Sequence, residues 1–138
     1  DYMRLSGEDM VKVDIYSLKH EGANTPTSEK GLHAAIYKGR SDVGAIIHTH
    51  SKYCSVFAAA QKDMPVLEEF RGTFGDKVCL AKYALPGTKA LMNNTAAAVG
   101  GGFGAIMSNH GMVACGADLE TAFDNCIKLE ENGRRVLT

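Results

Sequence analysis

Residues 42–50, DVGAIIHTH, set the strongest limit on how this chain can fold. The apolar run is too short for a helix of its own. Ser51, a helix-capping residue, follows it at once, so the run reads as a short buried strand leading into a helix over 51–61, SKYCSVFAAAQ. Side chains alternate along a strand, so His48 and His50 leave its end on one face. Two imidazoles in that position can be hydrogen-bonded core histidines or can share one metal ion, and the pair alone leaves both readings open.

Around this strand the pattern alternates between helix and strand. VKVDIY (11–16) alternates and is rich in β-formers, which predicts a strand, and the polar HEGANTPTSE (20–29) predicts a loop. Thr27 or Ser28 can cap a helix over 28–40 with Glu29 in its first turn, and Leu32, Ala35, Ile36 and Gly39 share one face of it. No element is assigned between Pro65 and Leu85. An Ala-rich helix is expected over 86–100, stopped by glycines. Two strands follow within 103–116, flanking Asn109-His110-Gly111, and then an amphipathic helix over 118–137 capped by Asp118. Alternating strands and helices without repeat or linker predict one α/β domain over 1–138, built around a single sheet. The chain opens on Asp1 rather than Met and ends inside a helical pattern, so it is expected to be part of a longer chain.

Of its 138 residues, 45% are hydrophobic and 22% charged, enough for a real core, and the net charge of −1 offers no basic stripe for nucleic acid or anionic lipid. No apolar run approaches the roughly 20 residues that span a bilayer, and no basic-then-apolar leader is seen. The four cysteines, Cys54, Cys79, Cys115 and Cys126, are widely spaced in apolar segments. They read as buried, reduced thiols of a cytoplasmic protein.

A third histidine strengthens the metal reading. His110 sits between two apolar strands, where a tight turn presents a side chain from a rigid base. Three imidazoles leave a fourth position open, the arrangement of a catalytic zinc. The ordinary alternative for His110 is a polar turn residue. Glu29, at a helix start, is either a capping-turn carboxylate or a metal ligand and general base beside the histidines. His33, four residues on, is read as packing or hydrogen-bonding. Thr25, Thr27 and Ser28 at a helix N-terminus suit a phosphate as well as they suit capping. GGGFG (100–104) lacks both the Walker lysine and the dinucleotide spacing, so it is no nucleotide motif.

Taken together, PTSE (26–29), HTHS (48–51), YALPGT (83–88) and NHG (109–111), with GLHAAIY after the glutamate, resemble the class II aldolase/adducin family in order and spacing over the whole chain. The resemblance implies an αβα sandwich with a mainly antiparallel central sheet covered by helices. It implies a divalent metal, usually Zn2+ with other transition metals possible, held by His48, His50 and His110. Glu29 would be a ligand that swings away to act as acid and base, and Thr27 and Ser28 would bind substrate phosphate. The implied assembly is a homotetramer with active sites between subunits. The implied activity is a carbon–carbon lyase acting on a small-molecule ketose 1-phosphate such as L-fuculose 1-phosphate, giving dihydroxyacetone phosphate and an aldehyde through a zinc-stabilised enediolate.

Two departures from the family pattern bear on these expectations. Family members carry an N-terminal helix and strands ahead of the segment matching Asp1, including part of the phosphate pocket. Members that cleave fuculose phosphate also use a tyrosine near the segment matching PVLEEFRG, where this chain has Glu68, Glu69 and Phe70. A glutamate there is similar to methylthioribulose-phosphate dehydratases, which makes Glu69 a candidate acid/base; its ordinary reading is an exposed helix-start charge. A pentulose-phosphate 4-epimerase shares the scaffold but usually has aspartate at the position of Glu29. Adducin-like modules keep the fold and lose the ligands, all of which stand here.

Overall fold

In the computed structural model, which describes residues 2–138, the strands lie between two layers of helices. Helix α1 (Lys30–Gly39) leads to strand β1 (Ala45–Thr49) and helix α2 (Lys52–Ala60). A short strand β2 (Met64–Pro65), a single-turn helix α3 (Arg71–Phe74), β3 (Lys77–Val78) and β4 (Leu80–Ala81) follow. Helix α4 (Lys89–Val99), strands β5 (Gly104–Met107) and β6 (Gly111–Gly116) and helix α5 (Leu119–Leu137) complete the chain. The sheet runs β1-β6-β5-β4. The first two pairings are antiparallel and the third is parallel, while β2 and β3 form a separate antiparallel pair.

The sandwich follows from strands buried on both faces. Every residue of β5 and β6 is buried. Met112, Ala114 and Ile106 face one way and join Cys54, Phe57, Met64 and Leu129 under α2 and α5. Val113, Cys115, Ala105 and Met107 face the other way and join Leu32, Ile36, Leu91 and Val99 under α1 and α4. Side-chain alternation on two central strands thus builds two cores, one per face. Where α1 meets α4, a Cβ on Gly31 would lie 2.2 Å from Met92 Cε, so glycine sets the closeness of that approach. In α1 Ala34 rather than the expected Ala35 is buried, and Gly39 is exposed.

Three local expectations are corrected. The strand over 11–16 does not form. Its residues alternate in exposure, but their backbone contributes only an isolated antiparallel bridge between Val13 and His20. Asp14 ends the run locally, its Oδ1 accepting from the N–H of Tyr16 at 3.1 Å and of Ser17 at 2.6 Å. Helix α1 begins at Lys30, so Glu29 takes the N-cap place, while Thr27 Oγ1 accepts from the Glu29 N–H at 3.2 Å. Helix α2 is headed by Ser51 as expected, but the Ser51 hydroxyl makes no cap. Glu130 of α5 caps it instead, accepting from Tyr53 N–H at 2.8 Å and Cys54 N–H at 3.0 Å. The caps expected of Asp118 and the glycine stop after α4 are present.

All four cysteines are free thiols. Cys54 and Cys115 are buried, and Cys79 and Cys126 half-buried. Burial pushes the Cys54 thiol up to about 12 and that of Cys115 to about 11, so both stay protonated and inert. Among the described residues, no helix is long and apolar enough to cross a membrane.

One buried polar side chain ties the unassigned region to the core. Asn132 of α5 is fully buried; its Oδ1 accepts from Leu67 N–H at 2.9 Å and its Nδ2 donates to Pro65 O at 2.9 Å. Asn132→Ala strips the partners from two partly buried backbone groups and leaves a hole at a fully buried site. It should cost about 2–3 kcal/mol of stability, read as a lower urea midpoint at unchanged slope.

Candidate metal centre

The register of β1 on β6 places the site. His48 lies opposite Val113 and Thr49 opposite Met112, so the end of β1 meets the turn (108–110) that joins β5 to β6. His48 Nδ1 stands 2.9 Å from Met112 O. A carbonyl can only accept, so Nδ1 donates to it and the ring is oriented with Nε2 toward the other imidazoles. His50 follows just beyond the strand, its Nε2 3.2 Å from His48 Nε2. His110 arrives from the turn, where Asn109 is left-handed (φ 53). A Cβ on Gly111 would lie 2.4 Å from Thr49 O and 2.8 Å from His50 Cδ2, so only glycine fits between the third histidine and β1.

The three ring centroids lie 4.9–5.2 Å apart with planes 52–84° from one another, so the rings are tilted or edge-on rather than stacked. One nitrogen from each lies within 4.8 Å of the others. Glu29 converges on the same point: its Oε2 is 2.9 Å from His48 Nε2 and its Oε1 3.1 Å from His110 Nε2. Two imidazole nitrogens and a carboxylate, with a third imidazole alongside, match the donor set of a borderline-soft divalent ion such as zinc. Thr27, Ser28, Glu29, His48, Thr49, His50 and His110 line an open cleft of about 470 Å³.

Burial shapes the electrostatics. It pushes the His110 imidazole below its ordinary range; Glu29 opposes this, and His48 and His50 add to it. His33, one turn along α1 from Glu29, is lowered for the same first reason, with His48 adding and Glu29 opposing. Neutral rings are the form that ligates.

Glu69 does not line this cleft. It sits in the helical turn Glu68–Phe70, where both guanidinium nitrogens of Arg135 fork onto its two carboxylate oxygens, and its side chain is 55% exposed. The structure therefore brings together Thr27, Ser28, Glu29, His48, His50 and His110, and leaves Glu69 apart. The Met112 carbonyl and the close fit of Gly111 were not foreseen. Both depend on strand register, which residue spacing alone does not carry.

The sequence profile described as Class II Aldolase and Adducin N-terminal domain matches residues 1–136. The chain belongs to the class II aldolase and adducin family. An L-fuculose phosphate aldolase of Methanococcus maripaludis is 35% identical over 127 residues, covering 92% of this chain and 68% of that protein. One of Escherichia coli O6:H1 is 30% identical over 122 residues, covering 88% of this chain and 56% of that protein. A solved L-fuculose 1-phosphate aldolase superposes with a TM-score of 0.93 at 32% identity, covering 99% of this chain and 65% of that one. The chain thus spans between about half and two thirds of these class II aldolases. The architecture that the resemblance implied, helices on both faces of a mainly antiparallel sheet, is the one observed.

The direction of the histidine shifts gives a pH dependence. Both His33 and His110 start from an ordinary value of 6.5 and lie below it in the folded chain. As pH falls below that value, the unfolded chain binds protons that the folded chain resists, so stability falls with pH. Denaturant midpoints of the metal-free chain should be lower at about pH 5.5 than at about pH 7.5, and His33→Gln should shrink the difference.

Proposed function

We propose that this chain is the metal-binding part of a class II aldolase that cleaves a ketose 1-phosphate, such as L-fuculose 1-phosphate, to dihydroxyacetone phosphate and an aldehyde. The observation that carries the reading is the convergence of the Glu29 carboxylate with His48, His50 and His110 in a cleft open to solvent. The names of the relatives support the substrate class.

His48, His50 and His110 would hold the ion, which zinc fits best by donor type. A divalent ion there supplies Lewis-acid stabilisation of the negative charge that builds as the carbon–carbon bond breaks, an effect worth several kcal/mol. The remaining chemistry belongs to the chain. Glu29 reaches the site from a helix start, with its oxygens 2.9 and 3.1 Å from two ring nitrogens, so a small swing of its side chain carries a proton to or from substrate carbon. The hydroxyls of Thr27 and Ser28 at the head of α1 would receive the substrate phosphate. The Met112 carbonyl orients the His48 ring through Nδ1, with Nε2 turned toward Glu29 and the other imidazoles.

Glu69 enters this scheme from a second copy. It is exposed, faces Arg135 and lies outside its own cleft, so it would act only at a neighbouring active site, as the homotetramer implied by the resemblance would allow. A carboxylate in that place favours one alternative on the same scaffold, in which Glu69 acts as base and water is eliminated beside the carbonyl. The four free thiols suit a reducing, cytoplasmic setting.

The test uses the full chain supplied with zinc and L-fuculose 1-phosphate, with release of dihydroxyacetone phosphate as the readout. His48→Ala should lose the metal. Glu29→Gln should keep it and lose turnover by about 100-fold or more. A fully active Glu29→Gln would remove the proposed base. Loss of water from the substrate without carbon–carbon cleavage, abolished in Glu69→Gln, would replace the aldolase reading with the dehydratase one.

A further inference from the structure

Helix α2 ends on Gln61, whose backbone is left-handed (φ 57, ψ 46). A Cβ is crowded in that conformation, and helices that end this way usually use glycine. Gly75 and Gly100, which close α3 and α4, also have positive φ (75 and 50), but their ψ of −160 and −128 lies outside the left-handed helical region. Of the ends of α1 to α4, only that of α2 is left-handed helical, and it is given to a long amide side chain rather than to glycine. Capping alone does not explain that choice, since the backbone N–H of Gln61 bonds Phe57 O whatever the side chain.

The side chain connects α2 to the turn that carries His110. Gln61 Nε2 donates to Ala58 O at 2.6 Å, and Gln61 Oε1 accepts from Ser108 Oγ at 2.5 Å. Ser108 is only 4% exposed and is the first residue of the turn. The same Ala58 carbonyl accepts from the Asn109 N–H at 3.1 Å. The last turn of α2 thus grips both residues that precede His110. From the other side, Gly111 abuts the Thr49 carbonyl. The backbone of His110 is fixed between the end of α2 and the end of β1. Glutamine suits this join because one planar amide offers a donor to a carbonyl and an acceptor to a hydroxyl.

We propose that Gln61 is a positioning residue for His110: through Ser108 and the shared Ala58 carbonyl it fixes the turn that aims the third imidazole at the metal. This rests on the reading of His48, His50 and His110 as metal ligands. Gln61 touches neither metal nor substrate, so its effect is on affinity and ligand geometry.

The backbone conformation makes the inference testable. Were Gln61 only a helix end, glycine would serve at least as well. Gln61→Gly relieves the left-handed strain, and Gln61→Gly combined with Ser108→Ala also removes the hydroxyl left without its partner. Both variants of the full chain should unfold within a few degrees of the parent. Both should bind zinc more weakly, on the order of tenfold, by competition against a chromophoric chelator. Their cobalt-loaded forms should show an altered visible absorption band, which a purely structural role would leave unchanged. Zinc affinity within twofold of the parent, with an unchanged cobalt spectrum, would overturn the inference while leaving the metal site intact. Weaker zinc binding that merely tracks an equal loss of folding stability in both variants would overturn it as well. A parent chain that binds no zinc would overturn the metal reading and this inference with it.

Discussion

The antiparallel pairing of β1 with β6 is the constraint on which the rest of the site depends. It fixes Thr49 opposite Met112, and so brings a carbonyl of β6 to His48 Nδ1. It also brings the β5–β6 turn, with His110, to the end of β1. A register slip of one residue would send His48 and His50 to the opposite face and break the cluster. The slip is resisted because β6 is buried on both faces, with Met112 and Ala114 in one core and Val113 and Cys115 in the other. The burial that stabilises the sheet is therefore what holds the imidazoles in place.

The second requirement is a carboxylate delivered from the helical layer. Helix α1 starts at Lys30 and packs on α4 through Gly31, which leaves Glu29 at the head of the helix, free to turn toward the histidines. Its oxygens are partnered by His48 and His110 rather than by backbone N–H groups. Thr27 does the local work of ordering the turn before it. Caps are supplied at a distance elsewhere too, as where Glu130 heads α2 from α5. Long-range caps of this kind lock the helices to one another as well as closing their ends.

The sequence made much of this legible for physical reasons. Strands buried on both faces read as unbroken apolar runs, so β1, β5 and β6 were visible, and α5 was visible from its amphipathic period and Asp118. The grouping of His48, His50, His110 and Glu29 came from strand periodicity and from the motif resemblance together. The misses share one cause, which is that they depend on partners distant in sequence. The run 11–16 alternates as a strand should, but among the described residues it finds no neighbouring strand to pair with. The segment after Pro65 is ordered by Asn132 from α5, which no local pattern announces. Ser51 reads as a cap, yet the carboxylate that caps lies far along the chain. Glu69 is a different case: motif position groups it with the site, within one chain it faces Arg135, and its role is a matter for the assembled protein.

The central claim is that three imidazoles of this chain bind one divalent ion. X-ray absorption at the zinc edge, on the full chain loaded with one equivalent of zinc, tests it most directly. The chain also offers four free thiols, and nitrogen and sulfur scatterers are well separated in distance. The account predicts a shell of nitrogen and oxygen donors at about 2.0–2.1 Å with the outer-shell pattern of about three imidazoles and no sulfur. A sulfur shell near about 2.3 Å, or a spectrum of fully hydrated zinc, would contradict it.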